Sequence, residues 1–284
     1  METKNTEMNE FIDFILSDTQ GMDSWTLTDH GNGSGLAHAR AHTVKMQKAG
    51  RKYRQLYGVE FYFVPSLDDW RDQYETHRQS VKDAKTAKQQ EALATKKIVI
   101  DAEKEVEQGG HIIEDEEETK RSRGNRPEWK RYYHLVVIAK NQVGLGNLFT
   151  LVKKSYKHGF YRFPRIDYKL LKQHSEGLVV STACVGGLAS GLIYQQFPTL
   201  RFDELHPDLM NNLDNYNPVM ERLENMAGRF VDCVGQDNFF LEMQFNDLPA
   251  QHLTNRCLLD LADKTGIPLV STADSHFPDP NKWQ

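Results

Sequence analysis

A chain of 284 residues with 39% hydrophobic and 26% charged residues can bury a sizeable core, and its length suits one barrel of alternating strands and helices or two smaller domains. Its net charge of −5 argues against a global attraction to nucleic acid or anionic membrane, so any polyanion contact has to come from a local patch or through metal ions. Three widely spaced cysteines without a CxxC pair, no run of about 18 apolar residues and no basic-then-apolar start argue against a disulfide framework, a zinc ribbon, a membrane span and a signal peptide, and the sequence reads as cytoplasmic.

In chain order, Met8, Phe11, Ile12, Ile15 and Leu16 share one helical face before Gly21, which predicts a helix over residues 8–20. A short apolar run then ends in Thr28-Asp29-His30-Gly31, the pattern of a buried strand that delivers polar side chains to the rim of a sheet. Ser34 is placed to cap a helix carrying Leu36, Ala37, Val44 and Met46, and residues 56–64 read as the next strand, with Glu60 inside it. Strand and helix alternate, which predicts parallel strands with helical crossovers.

Between residues 66 and 130 Lys, Glu, Gln and Ala dominate, and the acidic run 114–118 meets the basic run 120–123. This reads as a long solvated helix or helical hairpin, broken at Gly109-Gly110, inserted between two strands of the main fold. The expected organisation is 1–65 and 131–284 as the two parts of the barrel, with 66–130 as the insertion.

Order returns with a strand over residues 132–140, His134 at its front, and a helix through Leu148, Leu151, Val152 and Tyr156. An aromatic and basic loop follows over residues 158–167, in which Arg162 and Arg165 beside Phe160, Tyr161 and Phe163 suit either phosphate and stacked bases or packing against a further part of the protein. The run 178–183 ends in Cys184 and Gly186-Gly187, which leave room for a close approach. A helix with Met220, Leu223, Met226 and Phe230 precedes a strand over 239–245 containing Glu242. Pro249 opens a helix closed by Gly266, and the last strand runs into Asp274 and His276.

Asp29, His30, Glu60, His134, Cys184, Glu242, Asp274 and His276 thus lie in or just beyond apolar strands. Mixed imidazole, carboxylate and thiolate donors suit zinc, manganese or iron, and paired ions suit phosphoester hydrolysis. His38 and His42, four apart on a helix with no third donor nearby, read as a solvated pair, and Cys233 and Cys257 as core.

These motifs, taken in order with 58–62 (Gly-Val-Glu-Phe-Tyr), 160–167 and 181–187, resemble the PHP (polymerase and histidinol phosphatase) domain, in the version found at the N-terminus of the bacterial and phage DNA polymerase III alpha subunit. The resemblance implies an α/β fold, a distorted TIM-like (β/α)7 barrel, with divalent metal ions, zinc or manganese, at its strand ends. It implies that Glu60, His134 and Cys184 form one centre, that Glu60 bridges to a second with Asp274, and that His30 and His276 serve a third, with Asp29 orienting His30. Family members act as metal-dependent 3'-5' exonucleases or phosphoesterases, or support the polymerase structurally.

The pattern departs from the family at its start. No histidine precedes His30, so the usual first strand with His-x-His is expected to be absent and the barrel N-terminally truncated. The remainder of the polymerase alpha subunit is then the expected partner, and DNA is reached through the complete polymerase. The alternative is a free-standing PHP phosphoesterase acting on a small phosphate monoester.

Overall fold

The computed structural model describes residues 23–102, 128–197, 201, 203 and 213–275. The helix expected at 8–20, the question of a first strand, the Gly109-Gly110 break and His276 lie outside the described residues.

The longest strand, β2 (Arg54–Phe63), is the spine of the sheet. Its apolar residues alternate, as a strand buried on one face requires. Val59, Phe61 and Phe63 are fully buried on one side, where Phe63 packs on the rings of Tyr168 and Phe230. Glu60 and Tyr62 point to the other side.

β1 (Ser24–Leu27) and β5 (Phe163–Ile166) pair parallel with different ends of β2, Trp25 opposite Gln55 and Tyr62 opposite Arg165. On its other edge lies β3 (Tyr133–Ala139), antiparallel, with Phe61 opposite Leu135. β6 (Leu178–Ser181) continues antiparallel to β3, and β7 (Phe239–Gln244) and β8 (Leu269–Thr272) follow in parallel. With the short β4 (Phe160–Tyr161) paired to β5, the order is β4-β5-β2-β3-β6-β7-β8 with β1 on β2. This curled mixed sheet forms a half-barrel.

The expected parallel alternation therefore holds for the main strands except β3. The reason lies in its connection. Phe63 and Tyr133 are directly paired, so the long excursion between them leaves and re-enters at the same end of the sheet, as a hairpin loop does. No crossover is made, and β3 comes back reversed.

Within unit 68–131, one of the two compact units of the chain, helix α2 (Leu67–Ala102) carries a long solvated stretch. Residues 78–90 are all exposed. Its apolar anchor is local: Trp70 donates from Nε1 to the carbonyl of Trp129 at 2.8 Å, with the rings of Tyr74 and His77 against Trp129.

The helices of the other unit bury the faces that their periodicity dictates. α1 (Leu36–Lys48) buries Leu36, Ala39 and Thr43; α3 (Gln142–His158), capped by the Asn141 side chain, buries Leu148, Leu151 and Ser155. α4 (Tyr168–Gln173), α5 (Leu188–Gln196) and α6 (Leu213–Val234) follow, α6 burying Met220, Leu223, Met226 and Phe230 as the sequence indicates. α7 (Pro249–Thr265) starts on its proline and ends at Gly266 in the left-handed conformation, as expected.

Phe61→Ala is expected to lower unfolding free energy by about 3–5 kcal/mol, the range for truncating a buried Phe. Lys85→Ala, on the solvated part of α2, should stay within about 0.5 kcal/mol of the parent. Urea denaturation of the two variants checks the contrast.

Candidate metal centre

The reversed direction of β3 decides the site. In a parallel strand a residue at the front lies at the end of the sheet opposite to the strand exits. Because β3 runs the other way, His134 at its front stands beside Tyr62 at the exit of β2. Glu60 is its diagonal neighbour on the same face, a separation that side chains of this length span. His30 joins them because the chain leaving β1 stays in register with β2: Gly31 donates to the carbonyl of Glu60 at 2.8 Å, and Glu60 donates to that of Asp29 at 3.1 Å.

Among the described residues, His30, Glu60 and His134 form a group whose ligand atoms all lie within 4.8 Å of one another. Nδ1 of His134 is 2.6 Å from Glu60 Oε1, and Nδ1 of His30 is 3.8 Å from the same oxygen. That oxygen is buried and lacks an aligned hydrogen-bond donor. A buried carboxylate oxygen in this state is costly unless a cation or proton satisfies it. Burial opposes a charge on His134, but its contacts with Cys184 and Glu60 outweigh that and raise its pKa to about 10. The group fits a divalent ion: two imidazoles and a carboxylate converge, and His30, with 44% of its side chain exposed, leaves the site open to solvent.

Cys184 stands beside this group, its Sγ 3.6 Å from His134 Nδ1 and accepting from the Gly186 N–H at 3.4 Å. A sharp turn after β6 brings it there, with Ala183 at φ +59°, a conformation unfavourable for a residue with a Cβ. The two glycines are needed for close approach. A Cβ on Gly186 would lie 2.7 Å from His134 Nδ1, and one on Gly187 would lie 2.1 Å from the Thr182 carbonyl oxygen. His134 in turn donates its backbone N–H to Gly186 at 2.8 Å.

The remaining sequence candidates fall in different places. Asp274 follows β8 at the same sheet end, exposed and at φ +48°, but outside the three-residue group. Asp29 accepts from the N–H of Gly35, the residue that precedes α1, at 2.8 Å. Ser34, expected as the cap, instead donates its hydroxyl to Asn32 Oδ1 at 2.6 Å, and Asn32 ties back to the His30 carbonyl at 2.9 Å. A carboxylate is favoured near a helix N-terminus, and Gly35, where a Cβ would meet Asp29 Oδ2 at 2.6 Å, gives it room.

Glu242 is buried and satisfied, accepting from Ser181, from Thr272 at 2.5 Å and from Gln244 at 3.2 Å. It ties β6, β7 and β8 together near their exits and does not join the metal group. His38 is exposed and His42 half-buried.

The loop expected at 158–167 is a tight hairpin, β4 and β5 turning at Arg162 with φ +59°. Its two arginines part company. Arg165 is 1% exposed and holds the hairpin from within, donating from Nη1 to the Tyr161 and Phe163 carbonyls at 2.9 Å each. Burial pushes its pKa down to about 10. Arg162 is exposed.

Sequence reading missed the aromatic collar. Tyr62 stacks on His30 with centroids 6.1 Å apart and meets Tyr132 and Phe163 at 4.9 and 4.7 Å. Burial first, then the neighbouring Tyr132 and Glu60, raises the Tyr62 pKa, which keeps it a neutral wall. Its position two residues after Glu60 was the available signal, since period-two spacing puts both on one face.

The sequence matches the PHP domain over residues 8–246. The chain belongs to the PHP domain family. It is 36% identical over 162 residues to the DNA polymerase III subunit alpha of Aquifex aeolicus, covering 57% of this chain and 12% of that protein. It is also similar to the subunits of the same name from Treponema pallidum, 34% over 148 residues (52% and 11%), and Thermus aquaticus, 32% over 146 residues (51% and 10%). This PHP domain therefore matches only about a tenth of the length of those relatives. No helix among its described residues is long and apolar enough to cross a membrane.

Gly186→Ala is expected to push the His134 ring away from Glu60 and weaken metal binding about tenfold, the scale for displacing a ligand's support. Zinc titration against a competing chelator measures it, and an unchanged affinity would show that this contact does not set the ring's position.

Proposed function

We propose that this chain serves DNA replication as the PHP portion of a polymerase of the alpha-subunit kind, and that its strand-end site is a divalent metal centre for phosphodiester chemistry. The observation that carries the reading is the convergence of His30, Glu60 and His134 in a chain whose relatives in several bacteria are DNA polymerase III alpha subunits. The rest of such a subunit, and DNA through it, are the proposed partners, in the cytoplasm.

His30, Glu60 and His134 would hold the ion, with Cys184 beside His134 as a further donor and Asp274, at the exit of β8, as a proposed ligand of a second ion. The family resemblance adds His276, which is not described. Zinc or manganese suits this donor set. A bound ion of this type lowers the pKa of its water and neutralises charge on a phosphoryl oxygen.

The chain's own residues supply the setting. The Asn32 tie and the Gly35–Asp29 hydrogen bond fix the loop carrying His30. Tyr62 and Tyr132 wall one side against solvent, and the glycines at 186 and 187 hold the Cys184 turn against His134. The open side at His30 leaves room for a phosphodiester to approach, and the 3'-5' exonuclease activity proposed for a complete site rests on the family resemblance.

No histidine precedes His30 in the sequence, and our reading is that this chain by itself offers fewer ligands than a multi-ion site takes. The chain alone, loaded with zinc or manganese, is therefore expected to bind metal yet release little nucleotide from a 3'-labelled single-stranded oligonucleotide. Robust manganese-dependent degradation lost in Asp274→Ala would contradict that reading. Hydrolysis of histidinol phosphate faster than of the oligonucleotide would contradict the replication reading and favour a free-standing phosphoesterase.

A further inference from the structure

The outward face of α3 and the hairpin that follows it carry a surface that the metal site does not use. Phe149, Lys153, Tyr156 and Lys157 fall at i, i+4, i+7 and i+8, so they share one face, opposite the buried Leu148, Leu151 and Ser155. Phe149 and Tyr156 are each 47% exposed, and Phe160, just beyond the helix, is 53% exposed. Tyr156 and Phe160 stack on each other with centroids 5.6 Å apart and planes at 17°. Lys153, Lys157 and Arg162 are exposed around them, and the Arg162 guanidinium lies 5.7 Å from the Tyr161 ring centroid.

The charge pattern is as unusual as the aromatic one. In a chain of net charge −5, residues 141–166 contain no Asp or Glu and five Lys or Arg. Large exposed apolar side chains grouped on one surface mark an interaction site. Protein interfaces deplete lysine at their cores, whereas this stripe alternates lysine with aromatic rings. Cations that follow a backbone, with rings on which bases stack, are the recognition chemistry of single-stranded nucleic acid.

The surface also adjoins the metal site. The Phe149 ring lies 3.3 Å from where a Cβ on Gly33 would stand, in the loop leaving His30. At the other end of the stripe, Phe163 of the hairpin touches Tyr62 and Tyr132 in the collar around the histidines.

We propose that Phe149, Tyr156 and Phe160, with Lys153, Lys157 and Arg162, form a binding surface for single-stranded DNA that leads to the metal centre. The rings stack bases and the cations follow the phosphates, without base-edge readout. The choice of DNA rests on the replication reading; the surface itself needs no metal.

Fluorescence anisotropy of the full chain with a labelled oligo(dT) of about 15 nucleotides, the span of one such binding face, tests it in EDTA. Wild type is expected to bind with a salt dependence of slope about −2, as three phosphate contacts on a single strand give. Tyr156→Ala with Phe160→Ala should weaken binding about tenfold with that slope unchanged. Lys153→Ala with Lys157→Ala should reduce the slope to about −0.7, that of one remaining contact. Since all four side chains are exposed, circular dichroism of these variants should match wild type.

Absence of oligonucleotide binding would overturn the proposal and leave the stripe as a protein contact. Wild-type affinity in the aromatic variant, or a duplex of equal length bound as tightly as the single strand, would also overturn it. Because chelator is present throughout, none of these outcomes bears on the metal centre, and hydrolysis of a monoester in the preceding assay would not bear on this surface.

Discussion

Antiparallel pairing of β2 with β3 is the constraint on which the site depends. Glu60 sits near the end of one strand and His134 at the start of the other, so parallel pairing would place them at opposite edges of the sheet. Reversal places Tyr62 opposite His134 and Phe63 opposite Tyr133, and a charged excursion of more than sixty residues then works as a hairpin loop. The insertion can be long because loop-closure entropy grows only slowly with length. The apolar faces of the two strands, with Phe61 and Leu135 almost fully buried, hold the pair in register. A one-residue slip of either strand would put Glu60 and His134 on opposite faces of the sheet.

Around that pair the chain tolerates conformations that cost energy elsewhere. Ala183, Asp274 and Arg162 are the non-glycine residues with positive φ among those described; Ala183 lies in the turn that brings Cys184 to the centre and Arg162 in the hairpin beside the aromatic collar. Such strain costs about 1–3 kcal/mol per residue and persists where the surroundings fix it. Here the fixing contacts are visible: Glu242 bonds to β6 and β8, and Thr182 accepts from the Glu242 N–H at 2.8 Å, one residue before the Ala183 turn.

Much of this could be read from residues alone, for a definite reason. A polar side chain inside an apolar run has to find a partner, so Asp29, His30, Glu60, His134, Cys184 and Glu242 stood out without any coordinates. The strands and helices carrying them follow from periodicity, turn glycines and Pro249. The direction of β3 could not be read, because nothing within a strand encodes which way it enters a sheet; the connection decides, and a long charged insertion hides its geometry. The fates of Arg162 and Arg165 were equally hidden. Both lie in one aromatic loop, and the turn at Arg162 sends one guanidinium outward and the other beneath the hairpin. Ser34, expected as the cap of α1, yields that place to Gly35, whose close contact with Asp29 sequence spacing does not reveal.

The electrostatic consequence is a site with a built-in need for positive charge. The buried Glu60 oxygen is met by the imidazole of His134, and a divalent ion would displace the proton held there, since metal ligands bind deprotonated. X-ray absorption spectroscopy of the zinc-loaded chain tests this most directly. The account predicts nitrogen and oxygen neighbours at about 2.0–2.2 Å, a sulfur neighbour at about 2.3 Å from Cys184, and outer-shell scattering from two imidazoles, one of which disappears in His134→Ala. A zinc ion without imidazole scattering, or a spectrum that His134→Ala leaves unchanged, would contradict it.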